Sequence, residues 1–151
     1  MSRSGYTDDC EYFAMWRGQV ASAIRGKRGQ QFLRELADGM DAMPVKELIA
    51  NDLVVDGQFC AMGVVGAKRG VDMEDIDADE PDKVARAFNI APQMAQEIAY
   101  INDECGGNYK TDENGRWRYA PDTPAERWNR VRKWVAEKIK ESAARNGDVQ
   151  R

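Results

Sequence analysis

The chain has 151 residues, of which 32% are charged and 42% are hydrophobic, and its formal net charge at pH 7 is −4. This length corresponds to one domain, and the composition is that of an ordinary globular protein. The sequence contains no histidine, which excludes a Ser-His-Asp triad, a Cys-His nucleophile and an imidazole metal site. Carboxylate or lysine chemistry would remain, but we predict a protein that is not an enzyme and that uses no cofactor.

No targeting segment is recognisable in the sequence. Acidic residues follow the first five positions closely, so the apolar region of a secretion signal is missing. The longest apolar run, residues 59–67, is too short to span a bilayer. Three widely spaced cysteines favour reduced thiols over disulfides or a zinc site, and they are Cys10, Cys60 and Cys105. We therefore expect a cytoplasmic protein.

Two amphipathic helices are predicted in the first 43 residues. Asp8 is placed to cap the first, whose apolar residues recur at helical spacing: Tyr12, Phe13, Trp16, Val20, Ala23 and Ile24. Gly26 and Gly29 are predicted to end it and turn the chain. The second helix has a similar inner face and stops at Pro44; that face comprises Phe32, Leu33, Leu36, Ala37, Met40 and Met43.

The stretch from residue 45 to residue 70 leaves two alternatives open, a hairpin followed by a helix or helix throughout. The Asp56-Gly57 pair between apolar residues indicates a hairpin near residues 53–59. Small residues then recur at helical spacing and would allow another backbone to approach closely: Cys60, Gly63, Val64 and Ala67. We interpret Cys60, at the start of this helix, as a buried structural thiol.

The segment from Val71 to Asp82, VDMEDIDADEPD, has seven carboxylates in twelve residues. Clustered oxygens are the ligands of calcium, but the glycine of an EF-hand loop is missing. The favoured interpretation is an acidic loop that leads into a helix N-terminus, where negative charge is stabilising. Asp79, Glu80 and Asp82 would lie at that terminus.

A pair of short helices is predicted between residues 82 and 101. Their spacing resembles a DNA-binding helix-turn-helix, with Asn89 at the turn. DNA binding requires positive charge, whereas residues 72–104 carry a net charge of −8. The side chains expected to be exposed on the second helix are Gln93, Gln96 and Glu97, which makes DNA binding by this unit the weaker interpretation.

The remainder of the chain combines a polar loop and a long helix. Residues 105–122 are rich in Gly, Asn and Asp, and a small hairpin could form between Tyr109 and Trp117. Thr123 and Pro124 then mark the start of a helix that Gly147 is predicted to end. The predicted fold is mainly α, a single domain over residues 1–151 with about five or six helices and a short β-hairpin near residues 53–59. Residues 1–7 and 146–151 are expected to be flexible.

Two basic clusters offer an alternative interface for nucleic acid: Arg25, Lys27 and Arg28 in the first, and Arg127, Arg130, Arg132 and Lys133 in the second. Trp128 and Trp134 interleave the second cluster and could stack on bases. The favoured interpretation places both tryptophans in the core and the arginines on the solvated side of the helix.

A series of short motifs follows one order along nearly the whole chain, up to about Val135. These are Ser4-Gly5-Tyr6 with Asp8-Asp9, Trp16-Arg17-Gly18, residues 24–36, Asp41-Ala42-Met43-Pro44, Gly57 with Cys60-Ala61-Met62-Gly63, Arg69-Gly70, Glu97-Ile98, Asn102-Asp103-Glu104, Thr123-Pro124 and Arg127-Trp128. The series resembles a family of small phage and prophage proteins of unassigned function. The resemblance implies a host-cytoplasmic setting and an accessory role, and it supplies no catalytic or binding residues.

These observations favour a protein that binds and inhibits a host protein, with counter-defence against a CRISPR nuclease complex as the specific form. An acidic face could occupy a basic nucleic-acid channel, and the predicted partner-binding residues are Asp72, Glu74, Asp75, Asp77, Asp79 and Glu80. The alternatives are a nucleic-acid-binding regulator that uses residues 82–101 or the basic last helix, and a virion assembly protein. The sequence leaves the oligomeric state open.

Overall fold

The computed structural model describes residues 3–6 and 13–149. Within these residues six helices and two antiparallel hairpins form a mainly α domain, as predicted. The helices are α1 (Phe13–Arg25), α2 (Lys27–Ala42), α3 (Ala61–Arg69), α4 (Pro81–Phe88), α5 (Pro92–Asp103) and α6 (Pro124–Val149). The first hairpin pairs β1 (Val54–Val55) with β2 (Gln58–Phe59), and the second pairs β3 (Asn108–Thr111) with β4 (Trp117–Ala120).

The core is built around α5, which packs against α1, α3, α4 and α6, while α2 packs against α1, α3 and α6. The predicted inner face of α2 is buried from Phe32 to Met40. The rings of Phe32 and Phe88 meet edge to face at 6.3 Å and connect α2 with α4. Trp134 is buried and Trp128 partly buried, which confirms that these rings belong to the core.

The predicted turn after α1 is shorter in the structure. Only Gly26 separates α1 from α2, and Gly29 lies inside α2. A Cβ at Gly29 would overlap the carbonyl oxygen of Ala23. Gly29 therefore allows the two helices to approach closely rather than ending one of them.

The stretch from residue 45 to residue 70 contains a hairpin followed by a helix. Asp56 and Gly57 both have positive φ, 51° and 76°, as the favoured two-residue turn requires. Cys60 is fully buried and caps α3 by accepting a hydrogen bond from the Gly63 N–H, which confirms its structural role. Ala67, at the end of the predicted small-residue face, is exposed.

At the two ends of the chain, residues 3–6 and the residues up to 149 are described, and the expected flexibility of the tails stays a prediction. Arg3 and Ser4 are buried, and the Arg3 guanidinium donates two 2.6 Å hydrogen bonds to the carboxylate of Asp103. At the other end, α6 runs through Gly147 to Val149. The predicted cap at Asp8, Cys10 and the remaining residues of the two tails lie outside the described residues.

Candidate functional site

Carboxylates from two separate segments line one open cleft of about 460 Å³. Asp52 and Asp56 belong to the first hairpin and the residues before it, and Glu74, Asp77 and Asp79 belong to the acidic loop. All five are exposed to solvent. None of the residues described as lining the cleft is basic. We call this set of five carboxylates the acidic cleft.

The hairpin wall of the cleft is held in place from behind. A Cβ at Gly63 of α3 would overlap the carbonyl oxygen of Leu53, so the hairpin lies directly on the helix backbone. The Ile49 N–H donates to the Phe59 carbonyl at 3.0 Å. The Asn102 amide donates to the Ile49 carbonyl at 2.9 Å. These contacts explain why a two-residue strand pair keeps a fixed position.

Asp103 connects the same wall to the buried N-terminal segment. Its carboxylate accepts hydrogen bonds from Arg3, from Asn102 and from the N–H of Asn51. Burial raises the pKa of Asp103, but the hydrogen bonds and positive charge of Arg3 outweigh this effect and hold it below its ordinary value. Asp103 is therefore an anionic anchor for residue 51, at the rim of the cleft.

The acidic loop has a different support. Met73 is buried against α3, where a Cβ at Gly66 would overlap its sulfur atom. The carboxylate of Asp72 accepts a hydrogen bond from the Glu74 N–H at 3.1 Å, and that of Asp77 accepts from the Asp79 N–H at 2.9 Å. Such local turns fix the backbone, so the loop presents its carboxylates on a defined surface.

The structure brings together three of the six predicted partner-binding residues, Glu74, Asp77 and Asp79. Asp72 and Asp75 are exposed on the same loop but do not line the cleft. Glu80 occupies the N-cap position of α4 without a side-chain capping hydrogen bond, and its carboxylate forms a 2.6 Å ion pair with Lys83. Its position confirms the predicted acidic helix start, to which Asp82 also belongs.

Sequence reasoning missed Asp52 and Asp56 as members of the site. The Asp56-Gly57 pair was informative about the turn, and nothing local indicated that this turn faces the acidic loop. The chemical character of the cleft is a concentration of negative charge with no basic residue among those that line it. Among residues 3–6 and 13–149, no group of three or more acidic or cysteine side chains is arranged to hold a metal ion. The groups that fit such a surface are ammonium and guanidinium groups of a partner.

The two basic clusters have different surroundings. Arg25, Lys27 and Arg28 are exposed, and the Arg28 guanidinium donates to the side-chain oxygen of Asn89. In the α6 cluster, Arg127 is buried and donates to the Leu48 carbonyl.

The other two arginines of this cluster, Arg130 and Arg132, also have intramolecular partners. Arg130 pairs with Asp122 at 2.6 Å and donates to two carbonyls at the end of α5. Arg132 forms two hydrogen bonds to Asp41, whereas Lys133 is exposed. Arg127, Arg130 and Arg132 connect elements of the fold, which argues against their use as a nucleic-acid surface.

The helical pair at residues 82–101 forms as predicted, with Asn89 in the left-handed conformation between α4 and α5. The prediction that Glu97 is exposed was wrong. Glu97 is 2% exposed, and its carboxylate accepts two hydrogen bonds from Arg17 and a third from the Tyr6 hydroxyl. Burial, together with this carboxylate, raises the pKa of Tyr6. Gln93 and Gln96 are half-buried and α5 packs on four other helices, which argues against its use as a DNA-reading helix.

The comparisons with known proteins gave no relative: the chain matches no family model, no curated protein and no solved structure. None of the helices in the described part of the chain is long and apolar enough to span a membrane.

Proposed function

We propose that the protein is a phage-encoded accessory protein without enzymatic activity that binds a host protein through the acidic cleft and inhibits it. The partner presents a basic surface. That surface is its nucleic-acid channel, which the carboxylates of the cleft would contact. Counter-defence, by inhibition of a CRISPR nuclease complex in the host cytoplasm, is the specific form of this proposal.

The observation that carries the proposal is the convergence of five carboxylates on one open surface without a lining cation. Charges of one sign on one surface repel one another, and no basic residue lines the cleft to offset them. A basic partner turns that repulsion into attraction and is also steered toward the cleft before contact. The resemblance to small phage proteins supports the biological setting.

The alternative of a DNA-binding regulator is less well supported by the geometry. The helix that would read the groove is packed on four others, and Arg127, Arg130 and Arg132 of α6 form hydrogen bonds and ion pairs within the molecule. The virion assembly alternative remains a prediction that self-association would reveal.

The experiment compares two variants with the same net charge. The cleft variant carries Asp52→Asn, Asp56→Asn, Glu74→Gln and Asp79→Asn. The matched control replaces four other exposed carboxylates, Asp38→Asn, Glu47→Gln, Glu113→Gln and Glu137→Gln. Each change removes four negative charges, so an effect of net charge alone would appear in both. Asp77 is retained in the cleft variant because it stabilises the loop turn.

Tagged native protein and both variants are used in pull-downs from bacterial host lysate, with and without nuclease. We expect one stoichiometric host protein with native and control protein under both conditions, and its loss with the cleft variant. The affinity for that purified partner should fall by about 4-fold to several hundred-fold, because each exposed ion pair contributes about 0.2–1 kcal/mol. Equal binding by the cleft variant, or an equal loss in the control, would refute the proposal.

A further inference from the structure

The second hairpin, β3–β4, exposes three aromatic rings. Tyr109, Trp117 and Tyr119 are 64%, 72% and 57% exposed, and they account for half of the large exposed hydrophobic side chains in the described part of the chain. Seven of the eight strand residues are exposed and the eighth is partly buried, so neither face of the ribbon is covered by the helices.

The strand register places the rings on one face. Tyr109 lies opposite Tyr119, and Thr111 lies opposite Trp117. The rings of Tyr109 and Tyr119 are 5.7 Å apart in an edge-to-face arrangement. Because side chains alternate along a strand, Lys110 and Arg118 share the opposite face, where they form a directly opposed pair.

The ribbon is fixed at both ends without burying these rings. At the tip, the Asp112 carboxylate accepts hydrogen bonds from the N–H groups of Asn114 and Arg116 and from the Arg118 guanidinium. At the base, the Tyr119 hydroxyl donates to the Gly106 carbonyl at 3.1 Å.

The glycines at the base allow this contact with the body of the protein. A Cβ at Gly107 would overlap the Tyr119 ring, and one at Gly106 would overlap Asp122 and Arg130. A two-stranded ribbon of this length is only marginally stable by itself, so these contacts fix the position of the aromatic face in the free protein.

The charge of the ribbon differs from that of the chain. The two strands contain Lys110 and Arg118 and no acidic residue, although the whole chain has a net charge of −4. Like charges directly opposed across two strands are destabilising, and Arg118 has Asp112 as its carboxylate contact. An anion near Lys110 would relieve this repulsion, whereas an apolar protein surface on the rings would leave it in place.

We infer that the β3–β4 hairpin binds single-stranded nucleic acid. Bases stack on Tyr109, Trp117 and Tyr119, and the phosphates lie along the edge of the ribbon within reach of Lys110 and Arg118. Stacking on exposed rings combined with nearby cations is the arrangement that binds single strands without reading their sequence. Both strands of this pair are edge strands, and the Arg118 side chain is 68% exposed beside its ion pair with Asp112, so these long cationic side chains can extend past the strand edge to a phosphate. This activity is separate from the acidic cleft.

The test uses the full chain and fluorescently labelled oligo-dT and oligo-U, with binding followed by fluorescence anisotropy over a series of salt concentrations. Trp117→Ala should weaken binding about 5- to 150-fold through the loss of one stacked base. The double variant Lys110→Gln, Arg118→Gln should reduce the slope of log affinity against log salt by about 1.4, since each phosphate contact to a single strand contributes about 0.7. The matched control Arg25→Gln, Arg28→Gln removes the same charge from an exposed cluster and should leave the affinity unchanged.

Thermal unfolding of each variant distinguishes a lost contact from a lost fold, and Trp117 is exposed enough for its replacement to leave the core intact. Absence of binding by the native chain at about 50 mM salt, a regime in which such contacts are strong, would overturn the inference. Equal binding by Trp117→Ala, or an equal loss in the Arg25, Arg28 control, would also overturn it. The cleft variant should retain oligonucleotide binding, so failure of this inference and failure of the proposed function are separate results.

Discussion

Replacing Gly63 by alanine tests whether the acidic cleft depends on contact between the backbones of α3 and the first hairpin. The added methyl group would overlap the Leu53 carbonyl oxygen, and it would lie 3.0 Å from the carbonyl carbon and 3.2 Å from Cβ of Phe59. The obstructing atoms belong to backbone that is itself hydrogen-bonded, since the Cys60 N–H donates to the same Leu53 carbonyl. The hairpin must therefore move away from the helix.

The expected loss of stability depends on which atoms the added methyl group must displace. Overpacking costs about 1–3 kcal/mol, and we expect about 3 kcal/mol here because backbone cannot rotate away as a side chain would. For a chain of this size, 1 kcal/mol shifts Tm by about 2–4 °C, so Tm should fall by about 6–12 °C. Displacement of the hairpin also moves Asp52 and Asp56, so partner binding at the cleft should weaken at temperatures where Gly63→Ala remains folded.

The control is the same substitution at Gly18 in α1, where a Cβ meets no atom within 4 Å. Alanine is favoured over glycine inside a helix by about 0.5–1 kcal/mol, so Gly18→Ala should raise Tm by about 1–4 °C. Differential scanning calorimetry and urea unfolding of both variants measure the two effects. A Gly63→Ala protein as stable as the native one would refute the reasoning, as would a destabilised Gly18→Ala protein.

Two further predictions concern the anchors of the fold. Asp103→Asn leaves the Arg3 guanidinium, 2% exposed, without its carboxylate, and we expect a loss of about 3–5 kcal/mol in the free energy of unfolding. Because the folded pKa of Asp103 is below its ordinary 3.8, the stability that its carboxylate contributes is present above pH 3.8 and is lost as the pH falls through the folded pKa. The free energies of unfolding of native and variant protein, measured with urea, should therefore converge on acidification. A difference that stays constant with pH would contradict this. Thr123→Ala removes the hydroxyl that accepts the Glu126 N–H at 3.1 Å and should cost about 1 kcal/mol, measured by urea unfolding, whereas Thr123→Ser should cost little; equal losses would show that the cap is not the cause.

Local chemistry made much of the fold predictable. The Asp56-Gly57 turn accommodates two positive φ angles within two residues, so it needed no information from the rest of the chain. The Thr123 cap and the spacing of the α2 core residues are equally local. The error at Gly29 has a physical origin: glycine is permissive both in a turn and where two helices approach closely, and the sequence does not show the neighbouring helix.

For the charged residues too, some properties follow from the sequence and others only from tertiary packing. The sequence by itself determined the mainly α fold, the absence of histidine chemistry and the acidic character of residues 72–82. Only the tertiary structure decided which charges face solvent. The sequence shows Glu97 as a polar residue and does not tell whether its carboxylate is exposed or buried against Arg17. The same holds for Arg127 and Arg132 of α6, which bind the Leu48 carbonyl and the Asp41 carboxylate far away in the chain. Asp52 and Asp56 joined the acidic loop because α3 fixes both segments on one side of the molecule, and that placement depends on packing between elements far apart in sequence.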